Sequence, residues 1–129
     1  MRWCSYRARW QGVEYDAVPD QDGERLWVRL HRSAPAPGFD EVAADCHVRR
    51  VPATECEEIV FVTMVCTWHG EPCQVHDERE EDLLLEYTGG RAPVARQLGL
   101  ERIERGVYRG WVPRSEVRDL CENTVPIDP

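Results

Sequence analysis

Residues 38–59 read GFDEVAADCHVRRVPATECEEI and residues 99–120 read GLERIERGVYRGWVPRSEVRDL. The two align without a gap at an offset of 61 (99 − 38, and 113 − 52 for the prolines). Gly38, Val51, Pro52 and Glu55 recur as Gly99, Val112, Pro113 and Glu116, and Phe39/Leu100, Val42/Ile103, Thr54/Ser115 and Ile59/Leu120 are swaps of like for like. Upstream, Trp10-Gln11-Gly12 answers to Trp68-His69-Gly70 at an offset of 58 (68 − 10). Leu26-Trp27-Val28 answers to Leu83-Leu84-Leu85 at an offset of 57 (83 − 26). The changing offset places insertions in loops. Internal self-similarity decides architecture before any single residue does, so the 129-residue chain is expected to divide into repeat 1, residues 1–59, and repeat 2, residues 60–129. A unit of about 60 residues is marginal alone, and the two repeats are expected to pack together.

Within each repeat the apolar period is two, the signature of half-buried strands. Cys4, Tyr6, Ala8 and Trp10 alternate with Trp3, Ser5, Arg7 and Arg9; Val62, Met64, Cys66 and Trp68 are their counterparts. Gln11-Gly12 and His69-Gly70 read as two-residue hairpin turns. Those turns set Trp10 opposite Val13, Ala8 opposite Tyr15, Trp68 opposite Glu71 and Cys66 opposite Cys73. Strands follow at Arg25–His31 and Leu83–Thr88, and again at Val48–Pro52 and Val107–Pro113. One short helix is predicted near 93–104, inside an insertion near 91–104, because Pro93 suits a first helical turn and Val94, Leu98, Leu100 and Ile103 follow at rough helical spacing, with Gly99 as a candidate stop. Asp40–Ala44 reads as a shorter helical turn.

Each repeat thus runs hairpin, acidic loop, strand, variable loop, strand, Val-Pro turn, strand. Gly110-Trp111-Val112-Pro113-Arg114-Ser115-Glu116-Val117, with Val51-Pro52-Ala53-Thr54-Glu55-Cys56 in the same role, resembles the ending of an SH3-like barrel, where a strand runs into proline, one turn of 3₁₀ helix and a last strand. The resemblance implies a mainly β fold, a tandem duplication of two SH3-like barrels. Peptide-binding SH3 domains carry an aromatic where Glu55 and Glu116 stand, and this departure argues against a proline-peptide groove.

The chain carries 24 acidic and 16 basic residues, for a formal charge of −8. All the cations are arginine. Such a balance argues against binding nucleic acid or an anionic membrane, both of which require clustered positive charge, and suits a basic protein partner. The N-terminus lacks the apolar run of a signal peptide, and the longest apolar stretch, residues 59–66, is too short to span a bilayer. A cytoplasmic location is expected, with the six cysteines as reduced thiols.

Cys66, His69, Cys73 and His76 have the residue types of a zinc site, but their spacing fits no standard pattern. His69 falls in the turn, and repeat 1 has Ala8, Gln11, Tyr15 and Val18 at these places, so no metal is favoured. Cys46 and Cys56 stand where repeat 2 has Val107 and Val117 and read as small core residues. Gly89-Gly90-Arg91 could cradle an anion on backbone amides. No set of nucleophile, base and oxyanion donors converges, so neither an enzyme nor a cofactor is expected. The expected function is a protein-binding module, monomeric or weakly dimeric. In its specific form it is a small acidic immunity or antitoxin-like protein that caps a basic partner. Its binding residues are expected among the unrepeated Trp27 and Trp111, Arg91, and the acids Glu55, Glu116, Asp77, Glu78 and Glu80. The alternative is a small-ligand or zinc-binding regulatory domain.

Overall fold

The computed structural model describes residues 3–128. Among them the chain is mainly β. In order it forms β1 (Cys4–Trp10), β2 (Val13–Asp22), β3 (Arg25–Arg32), β4 (Asp40–Ala43), β5 (Cys46–Pro52), a 3₁₀ turn (Ala53–Glu55) and β6 (Glu58–Trp68). It continues with β7 (Glu71–Arg79), β8 (Asp82–Tyr87), α1 (Ala92–Gln97), β9 (Glu101–Glu104), β10 (Val107–Pro113), a second 3₁₀ turn (Arg114–Glu116) and β11 (Val117–Pro126).

Two compact units result, each with its own core. The N-terminal unit comprises Ser5–Val62 and residues 124–128; the C-terminal unit comprises Thr63–Asn123 and residues 3–4. The division falls inside β6, three residues beyond the repeat boundary at 59/60, and each chain end belongs with the other repeat. Strand order is β4-β5-β3-β2-β1 in the N-terminal unit and β9-β10-β8-β7-β6 in the C-terminal one. Strand for strand the two orders correspond, and all the pairings run antiparallel.

The turns set the registers. Gln11 (φ 50°) and Gly12 (φ 77°) match His69 (φ 50°) and Gly70 (φ 77°) almost angle for angle. Two successive left-handed residues twist with the flanking strands, and this selects the two-residue hairpin. No neighbouring atom lies within 4 Å of a Cβ built at Gly12 or Gly70, so glycine is required there by backbone angle and not by space. The pairings that follow are Trp10↔Val13, Ala8↔Tyr15, Trp68↔Glu71 and Cys66↔Cys73. Alternation then sends Ala8, Trp10, Ala17, Val28, Leu30, Val51, Ala53 and Ile59 into the N-terminal core. Cys66, Trp68, Cys73, Val75, Leu83, Leu85, Tyr108 and Val112 enter the C-terminal core. The crossing ends join in: Trp3, 6% exposed, lies in the C-terminal core and its carbonyl accepts the Met64 N–H at 3.0 Å. Ile127 packs on the N-terminal core, its N–H donating to the Ile59 carbonyl at 2.8 Å.

Two helical expectations are corrected. The helix predicted near 93–104 ends at Gln97, because Gly99 turns left-handed (φ 79°) and Glu101–Glu104 pair with β10 as β9. Ala95 is fully buried against the C-terminal core, whereas Ile103 is 54% exposed, so the apolar residues do not share one helical stripe. Residues 40–43 likewise form β4, not a helical turn, paired with β5 around a left-handed Asp45 (φ 56°). Four residues are too few to sustain a helix against an available ladder partner.

One hairpin carries backbone strain that its counterpart avoids. The β2–β3 turn begins with Gly23 (φ 64°), while the β7–β8 turn at the equivalent place begins with Glu80 (φ 52°). A side chain in the left-handed region costs roughly 1–2 kcal/mol, partly offset by the larger entropy of unfolded glycine. Glu80→Gly is therefore expected to raise the unfolding free energy by about 0.5–1 kcal/mol in chemical denaturation; no gain, or a loss, contradicts this account of the turn.

Candidate functional site

Alternation that buries one face of a sheet exposes the other. On β3, Leu26, Val28 and Leu30 face the core, so Arg25, Trp27 and Arg29 face out. The register places Asp20 of β2 and Pro52 of β5 on either side of Trp27. From β5 the Arg50 guanidinium lies over the Trp27 ring, 4.3 Å from its centroid. Arg50 is held by Asp20 (3.2 Å) and Asp22 (3.4 Å), and Asp20 also takes Arg29 at 3.2 Å. Stacking of this kind contributes about 0.5–1 kcal/mol at an exposed site.

The C-terminal unit builds the same feature with exchanged parts. Leu83, Leu85 and Tyr87 face inward on β8, which leaves Asp82, Leu84 and Glu86 outward. Trp111 on β10 sits opposite Leu84. Arg79, at the end of β7, lies 4.2 Å from the Trp111 centroid and 3.7 Å from Asp82. In the repeat alignment Trp27 corresponds to Leu84 (84 − 27 = 57) and Trp111 to Arg50 (111 − 50 = 61). The tryptophan stands on β3 in one unit and on β10 in the other, while the platform occupies the corresponding place. Trp111 is 37% exposed. Beside it, Glu86 accepts from His76 and from Arg109, each at 3.0 Å.

The predicted acids divide by role. Residues 77–82 (Asp-Glu-Arg-Glu-Glu-Asp) sum to −5 + 1 = −4, half the formal charge of the chain. Within them Glu78 pairs with Arg114 at 3.3 Å, and Asp77 accepts the Glu78 N–H at 2.8 Å. Glu80 stands at the turn itself. Glu116 is occupied within its own unit: it accepts from the Trp68 indole N–H at 3.1 Å and lies 3.3 Å from His69. It latches the β6–β7 turn to the second 3₁₀ segment. Glu55 lines a cleft of about 470 Å³ with Glu24, Arg25, Leu26, Pro52, Ala53 and Thr54. At the matching place in the C-terminal unit, Glu81, Asp82, Pro113, Arg114 and Ser115 line one of about 430 Å³. Arg91 caps α1 and lines a separate cleft. The stacked arginines, and the partner of Glu116, were not among the residues read from sequence. No local signal marked the arginines, because each stacks on its tryptophan from a different strand.

The four candidate metal ligands do not meet. Cys66 and Cys73 are cross-strand neighbours facing the C-terminal core, His69 is exposed at the turn, and His76 is on the opposite face with Glu86. No group of three or more potential ligands converges among the described residues. Cys46 is half-buried and belongs to neither core; its Sγ lies 3.8 Å from His31 Nδ1. Among the described residues no helix is long and apolar enough to cross a membrane.

Fold and site together describe a mainly β protein of two antiparallel units, each with a tryptophan–arginine platform on its outer face. The chain belongs to the family described as Uncharacterised conserved protein UCP033725, which matches residues 2–128. No curated protein and no solved structure matches it.

Burial sets the reactivity of the core thiols. It pushes Cys66 up from the ordinary 9.0 to about 11, helped by Cys121, and Cys73 to about 12, helped by Cys66 and Glu71. Folded thiols therefore keep protons that the unfolded chain releases. That stability is full below about pH 9 and declines as pH rises toward the folded values. Thermal unfolding should show a midpoint that falls through this window, less steeply in Cys73→Val. At neutral pH a thiol reagent should label the exposed Cys4 and Cys121 first and reach Cys66 and Cys73 only on unfolding; early labelling of Cys73 would contradict its place in the core.

Proposed function

We propose that the chain is a non-enzymatic protein-binding module whose C-terminal unit docks a basic partner on the face bearing Trp111. The observation that carries this reading is the junction of an exposed tryptophan with a hairpin tip of net charge −4. Arg79 lies on the Trp111 ring and is tied to Asp82, so the tip is anchored to the aromatic surface. Tryptophan and arginine are the residues on which binding energy concentrates. The surrounding carboxylates give on-rate and selectivity for positive charge. Glu80 accepts a left-handed backbone at the tip (φ 52°) where the other unit has glycine, which sets a carboxylate in the turn itself.

The corresponding strand orders, the matched Gln11-Gly12 and His69-Gly70 turns and the two Val-Pro-3₁₀ corners support reading the chain as a tandem duplication of SH3-like barrels. The N-terminal platform is the less charged copy: residues 20–25 sum to −3 + 1 = −2. A small acidic immunity or antitoxin-like protein acting on a basic partner inside the cell is the specific form this reading takes. The partner is recognised by positive charge around an apolar patch that accepts Trp111.

The test is affinity capture with the full chain at low and moderate salt, repeated with Trp111→Ala and with Glu80→Gln/Glu81→Gln. A single basic protein should be retained. Its affinity should fall as salt rises, with about a tenfold or larger loss in Trp111→Ala and a slower association in the double carboxamide variant. Binding that is indifferent to salt and unchanged in Trp111→Ala would overturn the proposal.

A further inference from the structure

A second site lies in the C-terminal unit, away from the acidic hairpin. The end of β8, the loop leading to α1 and the β9–β10 turn enclose a cleft of about 270 Å³. It is lined by Glu86, Tyr87, Thr88, Gly90, Arg91, Ala92, Gly106 and Tyr108. That volume is below the range of drug-sized pockets and fits a small head group.

Three observations point to negative charge as its occupant. First, Tyr87 is 6% exposed and its phenolic oxygen is buried with no hydrogen-bond partner among the described residues. A buried hydroxyl is ordinarily satisfied, and an exception asks for an explanation. Second, the Arg91 guanidinium is exposed on the wall and makes no ion pair, hydrogen bond or ring stack among the described residues, in a chain of charge −8 where many other arginines are held by carboxylates or aromatic rings. Arg105, beside Gly106 in the β9–β10 turn, is unpaired in the same sense. Third, the one carboxylate on the wall is already neutralised, because Glu86 is shared by His76 and Arg109. What is left is a donor set: the Thr88 hydroxyl and a forked guanidinium on the wall, with the Tyr87 hydroxyl buried against Gly89. Gly89 makes this possible, since a Cβ there would come within 2.2 Å of the Tyr87 oxygen and drive the ring away.

We propose that this cleft binds a terminal oxyanion, a carboxylate or a phosphate, carried by a small ligand. Arg91 supplies a bidentate, charge-assisted contact and Tyr87 donates its O–H to the same group. The site shares only Glu86 with the Trp111 face, and neither Arg91 nor Tyr87 belongs to that face, so either function can fail without the other.

The experiment is a ¹⁵N NMR titration of the full chain with inorganic phosphate and, separately, with acetate. Saturable shifts are expected at Thr88, Gly90, Arg91 and Gly106, with a Kd of about 1 mM or tighter for at least one of the two anions. Which anion saturates first distinguishes the phosphate from the carboxylate source. Arg91→Gln should weaken binding about tenfold or more, and Tyr87→Phe should weaken it while leaving the spectrum folded. Trp111→Ala should leave it unchanged. Shifts that stay linear with both anions, that scatter over all the arginines, or that persist undiminished in Arg91→Gln would overturn the site.

Discussion

Hairpin register is the constraint on which this molecule depends. A strand has a side-chain period of two, so a slip of one residue exchanges every inward residue for an outward one. Here the registers are pinned by two-residue turns whose central positions are left-handed, with nearly identical angles at Gln11-Gly12 and His69-Gly70. Once these turns form, Trp10 and Trp68 face their cores, Cys66 meets Cys73, and His76 faces away from both thiols. The failure of the Cys/His set to make a metal centre is a consequence of the same parity. Thiols on one face of a hairpin and an imidazole on the other cannot share an ion.

Electrostatics acts within the same frame. Several arginines do structural work on aromatic rings: Arg49 lies 4.6 Å from the Trp10 centroid, Arg32 lies 5.7 Å from Phe39, and Arg50 and Arg79 cover Trp27 and Trp111. Arg9 bridges to Glu58 and Arg114 to Glu78. Arginine's flat cation suits this double use as ring cover and ion partner. With much of the positive charge so engaged, the acidic excess is left at hairpin tips, and a few unpaired guanidiniums, Arg91 and Arg105 among them, stand against it.

Much of the strand pattern was legible because it rests on local rules: alternation, glycine in turns, and proline before a 3₁₀ corner. What escaped was what tertiary partners decide. The apolar run 94–103 has helical spacing, yet β10 captures its second half, because a ladder partner outweighs weak propensity in so short a segment. Glu116 sits in a motif where an aromatic would signal ligand contact, and only the fold shows its carboxylate bound to the Trp68 indole. The exposed state of Trp111 could be suspected from its lack of a repeat counterpart. The arginine on top of it could not, since Arg79 and Trp111 lie 32 residues apart (111 − 79) on strands that are not neighbours in the ladder.

The crossing of the chain ends bears on how the protein is made. A ribosome delivers residues in order, and domains usually fold as they emerge. Here the N-terminal unit takes its last piece from residues 124–128, and the C-terminal unit takes its first from residues 3–4. Ile127 and Trp3 are the apolar anchors of those pieces. Neither unit can be completed on a half-made chain, and neither can be cut out at the repeat boundary without losing an anchor. The two units thus reach completion together, once residues 124–128 have been made.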